Sequence, residues 1–144
     1  MKDIIIQIKD QDTNDQTKAV EYCIRQGYTE ITILGAAGKR EDHTFGNISL
    51  LCNYINRIKV CAISNYGVFT PINESKTFPS FSGQQVSIFS LTPEVKINSE
   101  NLRYPLDNLQ LKSWWMGTLN ESISDTFSIS FEQGEMIVFQ VFDK

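Results

Sequence analysis

Cysteine is scarce in this chain: Cys23, Cys52 and Cys61 are the only 3 among 144 residues. An odd count, wide spacing and apolar surroundings exclude a disulfide framework or a zinc site and point to buried thiols in a reducing compartment, with the cytoplasm the natural location. Positive charge is also short. With 13 Lys and Arg against 17 Asp and Glu, the net charge is −4, so there is no electrostatic reason to bind nucleic acid or an anionic membrane. Any phosphate chemistry must come from a local site. No apolar run approaches the ~20 residues of a membrane span. The apolar patch in the opening MKDIIIQIKDQD is too short for a secretory signal. The GKS/T ending of a P-loop and the GxGxxG dinucleotide fingerprint are both missing. So are internal repeats, low-complexity tracts and linkers. What remains is an ordinary apolar fraction of 41%, enough for a packed core in one domain or two small ones.

The sequence changes grammar near residue 65. Before that point, strand and helix patterns alternate. Residues 4–8 (IIIQI) read as a buried strand, and 13–26 as a helix with Ala19, Val20, Cys23 and Ile24 on one face. Thr13 and Gln16 have capping-box spacing, and Gly27 stops the helix. Residues 31–34 form a second strand, ended by Gly35. A second helix is expected over 42–56, with Phe45, Ile48, Leu51, Cys52 and Ile55 on one side. A third strand covers 57–63. That order predicts a parallel sheet with right-handed crossovers. After Asn65 the pattern is all-β, with strand-like runs at 67–70, 77–78, 84–90, 95–98, 101–104, 126–131 and 136–142. Residues 132–135, containing Gly134, read as a hairpin turn. The expected fold is therefore a small α/β half, residues 1–65, followed by an antiparallel β-sandwich or barrel, residues 66–144. Three parallel strands make a small sheet for a class normally buried at both faces and edges, so the α/β half looks truncated.

Polar residues gather in three places. Asp10, Asp12 and Asp15 lie between a strand end and a helix start, where open α/β sheets bind ligands. Carboxylates there suit Mg²⁺, and they also simply suit a helix N-terminus. The second cluster is GAAGKREDHTFGN, residues 35–47. Gly35 and Gly38 permit a tight turn, the following helix start offers N–H groups to an anion, and Lys39 and Arg40 add charge. Asp42, His43 and Asn47 follow, His43 and Asn47 sharing a helix face. The third is SWWMGTLNE, residues 113–121. Adjacent Trp114 and Trp115 on a strand would point to opposite faces, one for the core and one for stacking on a flat ring, while Asn120 offers an amide to a polar heterocycle.

In this order the clusters resemble the thiamine pyrophosphokinase family over essentially the whole chain. DQDTNDQTKA resembles its D-x-D-x-T-D-x-x-K-A segment, and ILGAAGKREDHTFGNISLL its I-x-G-A-x-G-x-R-x-D-H-x-L-x-N motif. GQQVSIFSLTP, LRYPL and GTLNE resemble its S-L-x-P, G-L-x-Y-P-L and G-T-S-N-E stretches, and WWMGTLNE looks most like bacterial members. The resemblance implies pyrophosphate transfer from ATP to thiamine, giving thiamine diphosphate and AMP, with Mg²⁺ required. It implies catalytic roles for Asp15, Arg40 and Asp42, with Arg40 suited to phosphate. Asp12 and Asp15 would be metal ligands. Gln11, Asp12, Lys39, His43 and Asn47 would lie on the nucleotide side, His43 and Asn47 ordering the loop or touching nucleotide. Trp115, Thr118, Leu119 and Asn120 would lie on the thiamine side. It also implies a homodimer, with thiamine held where the β half of one subunit meets the α/β half of the other.

The chain departs from the family pattern at several points. Asn14 stands where Thr is usual and Leu119 where Ser is usual. A tryptophan found near the C-terminus of some members is absent, with Phe139 or Trp115 as substitutes. No stretch of the 144 residues matches the family's G-D-x-D-S acidic loop. The chain is thus expected to correspond to about the C-terminal two-thirds of such a protein, with little activity alone. The alternatives are a non-catalytic module binding thiamine or its diphosphate, and an interaction protein without ligand.

Overall fold

The computed structural model describes residues 12–38 and 40–143. The strand expected at 4–8 lies outside these. The structure is mostly β-sheet with two short helices. Helix α1 spans Asp15–Arg25, strand β1 Glu30–Leu34, and helix α2 Glu41–Ser49. A 3-10 turn over Leu50–Asn53 leads to β2, Lys59–Ile63. Strands β3 (Gly67–Ile72), β4 (Lys76–Pro79), β5 (Gln85–Ser90) and β6 (Lys96–Glu100) follow. Then come β7 (Leu109–Gln110), a 3-10 turn at Trp114–Gly117, β8 (Asn120–Glu121), β9 (Thr126–Ser130) and β10 (Met136–Val141). Among the described residues no helix is long and apolar enough to cross a membrane.

The change of grammar at residue 65 does not break the sheet. Strands β1 and β2 pair in parallel, as β-α-β order requires, and β2 then pairs antiparallel with β3. One six-stranded sheet, β1-β2-β3-β10-β5-β8, therefore runs through both halves, and a four-stranded sheet, β4-β9-β6-β7, stands apart from it. Strand β10 shows how the layers share this sheet. Met136 and Val138 join Phe78, Ile88, Ile97, Phe127 and Ile129 in the core between the sheets, while Ile137 packs with Val20, Leu51, Cys52 and Ala62 under the helices. Alternate side chains of one strand thus fill two cores.

Five expectations are corrected. The turn at 132–135 is not a hairpin: β9 lies in the four-stranded sheet, while β10 pairs with β3 and β5. The unbroken apolar run Met136–Val138, buried at all three positions, is the mark of a strand covered on both faces. Residues 101–104 do not form a strand. Asn101 takes φ 61° and its amide donates to the Thr126 carbonyl at 3.0 Å, so the chain turns and leaves only the single bridge Leu102↔Ser122. The second helix ends early, at Ser49, and tightens into the 3-10 turn. The capping box is replaced by Asn14, whose Oδ1 accepts from the Thr17 N–H at 2.8 Å, while Gln16 turns to α2. The thiols also differ from expectation: Cys52 is buried, but Cys23 and Cys61 are half-buried.

Candidate functional site

The first two clusters meet through one asparagine. Asn14, the cap of α1, donates its Nδ2 to Asn47 Oδ1 on α2 at 3.1 Å. Gln16 Nε2 donates to the Asn47 carbonyl at 2.9 Å, and Asn47 Nδ2 donates to the Ala36 carbonyl in the loop after β1 at 3.2 Å. That loop leaves β1 through Gly35 at φ 80°, a left-handed conformation glycine adopts without cost. Asn47 therefore ties α1, α2 and the glycine loop together. A cleft of about 650 Å³ runs between α1 and β1, with Asp15, Gln16 and Asn47 lining it beside the apolar Val20, Ile31 and Ile33. Gln16 Oε1 is buried and without a hydrogen-bond partner among the described residues.

Arg40 and Asp42 pair at the start of α2. Arg40 Nε and Nη2 donate to Asp42 Oδ1 and Oδ2 at 3.1 and 2.5 Å. The guanidinium hydrogen bond holds the Asp42 carboxyl below its ordinary value against the opposing effect of burial, with the His43 backbone N–H adding to the lowering. Asp42 Oδ1 also accepts from the His43 N–H at 2.9 Å, so the carboxylate satisfies one of the open donors of the helix start. The His43 ring is exposed. Lys39 and Gln11 lie outside the described residues, as does Asp10.

Asp12 and Asp15 are exposed carboxylates at the entry to α1, Asp15 standing 3.7 Å from Lys18 Nζ. Among the described residues no three acidic, histidine or cysteine side chains converge. A dedicated all-protein cage is therefore not formed by these residues. Two carboxylates facing solvent do fit Mg²⁺, which keeps several waters and completes its shell with substrate phosphates.

The third cluster is a 3-10 turn, not a strand, so its tryptophans are set apart by about a third of a turn instead of lying on opposite faces. Trp114 lies 6.2 Å from Phe45 of α2 and 5.8 Å from Phe89 of β5, with Nε1 donating to the Ser90 carbonyl at 3.2 Å. Trp115 is 75% exposed. Gly117 fixes the turn against β5, since a Cβ there would meet the Ile88 carbonyl oxygen at 2.1 Å. Thr118 Oγ1 donates to the Trp115 carbonyl at 2.7 Å. Leu119 is 76% exposed at φ 58°, in the left-handed region a leucine rarely adopts. Asn120 is buried. Its Oδ1 accepts from the Tyr104 and Glu121 N–H groups and its Nδ2 donates to the Tyr104 carbonyl, so its amide binds the 102–106 loop to β8.

Thus contacts link the first cluster to the second and the second to the third. Sequence reasoning missed Gln16 and Phe45 as the linking residues. In sequence Gln16 reads as part of a cap, and Phe45 as part of a core face although it is 59% exposed.

Two family models match the chain: the thiamin pyrophosphokinase catalytic domain over residues 1–62 and the thiamin pyrophosphokinase substrate-binding domain over residues 67–139. Thiamine pyrophosphokinase 1 of Oryza sativa subsp. japonica is 30% identical over 120 residues, covering 76% of this chain and 46% of that protein. Thiamin pyrophosphokinase 1 of Caenorhabditis elegans is 21% identical over 150 residues, covering 95% and 61%. The chain thus spans less than two thirds of either relative. Among solved structures, thiamine pyrophosphokinase from Bacillus subtilis superposes with a TM-score of 0.79 at 23% identity, over 94% of this chain and 66% of that one. A thiamin pyrophosphokinase family protein from Enterococcus faecalis gives 0.79 at 24% identity, over 98% and 68%. At these identities the structural likeness speaks for the fold.

Proposed function

The chain belongs to the thiamin pyrophosphokinase family, and from that premise we propose that it transfers pyrophosphate from ATP to the hydroxyl of thiamine. The thiamine hydroxyl oxygen forms a bond to the β-phosphorus of ATP. The bond from that phosphorus to the α,β-bridging oxygen breaks, AMP leaves, and the hydroxyl proton passes to solvent. The observation that carries this reading is the linkage of the three clusters in one molecule, by Asn14–Asn47 and by Phe45–Trp114.

Such a transfer demands positioning and charge neutralisation more than covalent catalysis. Arg40 is the cation for the phosphate oxygens, its planar guanidinium oriented by Asp42. Asp12 and Asp15 would hold Mg²⁺, which when bound neutralises phosphate charge. Lys39 and Gln11 are assigned to the nucleotide, with His43 ordering the loop beside it. The exposed Trp115 and Leu119 give a flat apolar face for the thiamine rings, next to Thr118 and Asn120. We assign residues 1–65 to an α/β catalytic unit and 66–144 to a thiamine-binding sandwich. The protein would be a cytoplasmic homodimer with the site between subunits, a role that suits the exposed Trp115 and Leu119.

A second reading is a module that binds thiamine or its diphosphate without turnover. It is favoured by the described residues, among which no three acidic, histidine or cysteine side chains converge to hold a metal ion. Calorimetry with thiamine, run beside an AMP-release assay, separates them. Heat with AMP release supports transfer, heat without AMP supports the module, and no heat with no AMP contradicts both.

A further inference from the structure

We infer that Asn14 is a positioning residue that fixes the glycine loop of the site through Asn47, which acts as a clasp between them. The inference deepens the reading above, because the loop it fixes leads into Arg40 and Asp42. An asparagine amide accepts at its oxygen, through two lone pairs, and donates two N–H from its nitrogen, the two atoms standing at opposite corners of a plane. In Asn47 both are engaged: Oδ1 takes the Asn14 Nδ2 donor at 3.1 Å, and Nδ2 faces the Ala36 carbonyl at 3.2 Å. The orientation of the amide is set by these partners. Only an acceptor fits at the Asn14 side while Asn14 offers an N–H, and only a donor fits at the Ala36 side. The Asn47 carbonyl is engaged as well, by Gln16 Nε2. Both polar atoms of the side chain thus bridge α1 and the loop, and the backbone carbonyl adds a second tie to α1.

The consequence is a coupling between the acidic wall and the phosphate loop. Asn14 immediately precedes Asp15 and caps α1 through the other end of its amide, Oδ1 to the Thr17 N–H at 2.8 Å. One side chain thus fixes the helix start by its oxygen and the loop, through Asn47, by its nitrogen. Moving either element pulls on the other. A residue that only capped the helix would leave the loop indifferent to its nitrogen.

Asn14→Asp separates the two roles. The aspartate keeps the capping oxygen, and by capping and helix-dipole reasoning alone it would be neutral or stabilising. It loses the N–H, however. Asn47 then faces a carboxylate on one side and a carbonyl on the other, and neither orientation of its amide satisfies both. The experiment is backbone amide relaxation by NMR on the full 144-residue chain without ligand, so its outcome does not depend on turnover. The expected result is a fall in the order parameters of Ala36, Ala37 and Gly38 from the rigid range near ~0.85 to below ~0.6, with Thr17 and β9 unchanged. An unchanged loop in Asn14→Asp would overturn the inference and leave Asn14 a simple cap. Asn47→Ala supplies the second arm: the same loosening is expected. Loss of ATP binding with an unaltered ligand-free loop would make Asn47 a contact residue and likewise overturn it.

Discussion

Trp114 and Phe45 stand with ring centroids 6.2 Å apart, joining the turn that follows the second core to the helix that carries Asp42 and Asn47. The two residues are far apart in sequence and belong to stretches with different periodicity. Their contact, with the Trp114–Phe89 edge contact at 5.8 Å, sets how the Trp114–Gly117 turn sits relative to α2.

The neighbouring tryptophans should differ sharply in cost. Trp114→Ala removes two aromatic contacts and the bond to the Ser90 carbonyl, and should destabilise the chain by ~2 kcal/mol. Trp115→Ala, at a side chain 75% exposed, should stay within ~0.5 kcal/mol. Urea unfolding of both variants checks this, and equal losses would refute the assignment of Trp114, 39% exposed, as the packed ring and Trp115 as the solvent-facing one.

The Asp42 carboxyl should titrate below its ordinary value of 3.8, because Arg40 hydrogen-bonds the ionised form. A lowered folded value means that the pairing favours the folded chain at neutral pH, begins to fade as pH drops toward the ordinary value, and is gone below the folded one. A ¹³C titration of the side chain reads it directly. Arg40→Ala should bring the midpoint back toward 3.8, and an unmoved midpoint would contradict the pair. The group is fully solvent-facing, so little global stability rides on it.

Cys52 should be inert. Burial pushes its thiol up to about 12, with the Glu135 charge adding to the effect, and the Sγ–H points to the Met136 carbonyl at 3.6 Å. The thiolate is the reactive form, so at pH 8 this residue should resist alkylation until the chain unfolds. Mass spectrometry after iodoacetamide, with and without denaturant, tests it; rapid native labelling at Cys52 would mean the core beneath the helices is open.

Leu119 holds a left-handed backbone while exposing its side chain, so little burial is lost on replacing it. Leu119→Asn should raise stability by ~1 kcal/mol, since asparagine tolerates this conformation. A thermal melt showing a loss would indicate that the leucine makes contacts that offset the strain. If the variant also weakens thiamine binding, the strain belongs to the site.

Much of this was legible in the sequence. The helix 15–25 showed its apolar stripe and its stop at Gly27, and β9 showed the alternation Phe127–Ile129 of a strand buried on one face. The motif order placed Arg40, Asp42 and Asn120 in named stretches. What was not legible was who pairs with whom. Residues 132–135 look like a hairpin from either side, and only the two-faced burial of Met136, Ile137 and Val138 tells that β10 belongs to the other sheet. The WWMG segment lacks helix periodicity because a 3-10 turn is too short to show one. Asn14 and Asn47, read separately as a mild departure and a nucleotide contact, form one clasp because 33 positions of chain fold back between them.

The central claim is tested most directly by incubating the chain with Mg²⁺, ATP and thiamine and measuring both products. Thiamine diphosphate and AMP should form in equal amounts, only when thiamine and Mg²⁺ are both present, and at least about a hundredfold more slowly in Arg40→Ala, as loss of a transition-state charge contact implies. Absence of both products from the folded protein, or AMP formation that does not require thiamine, would contradict the account.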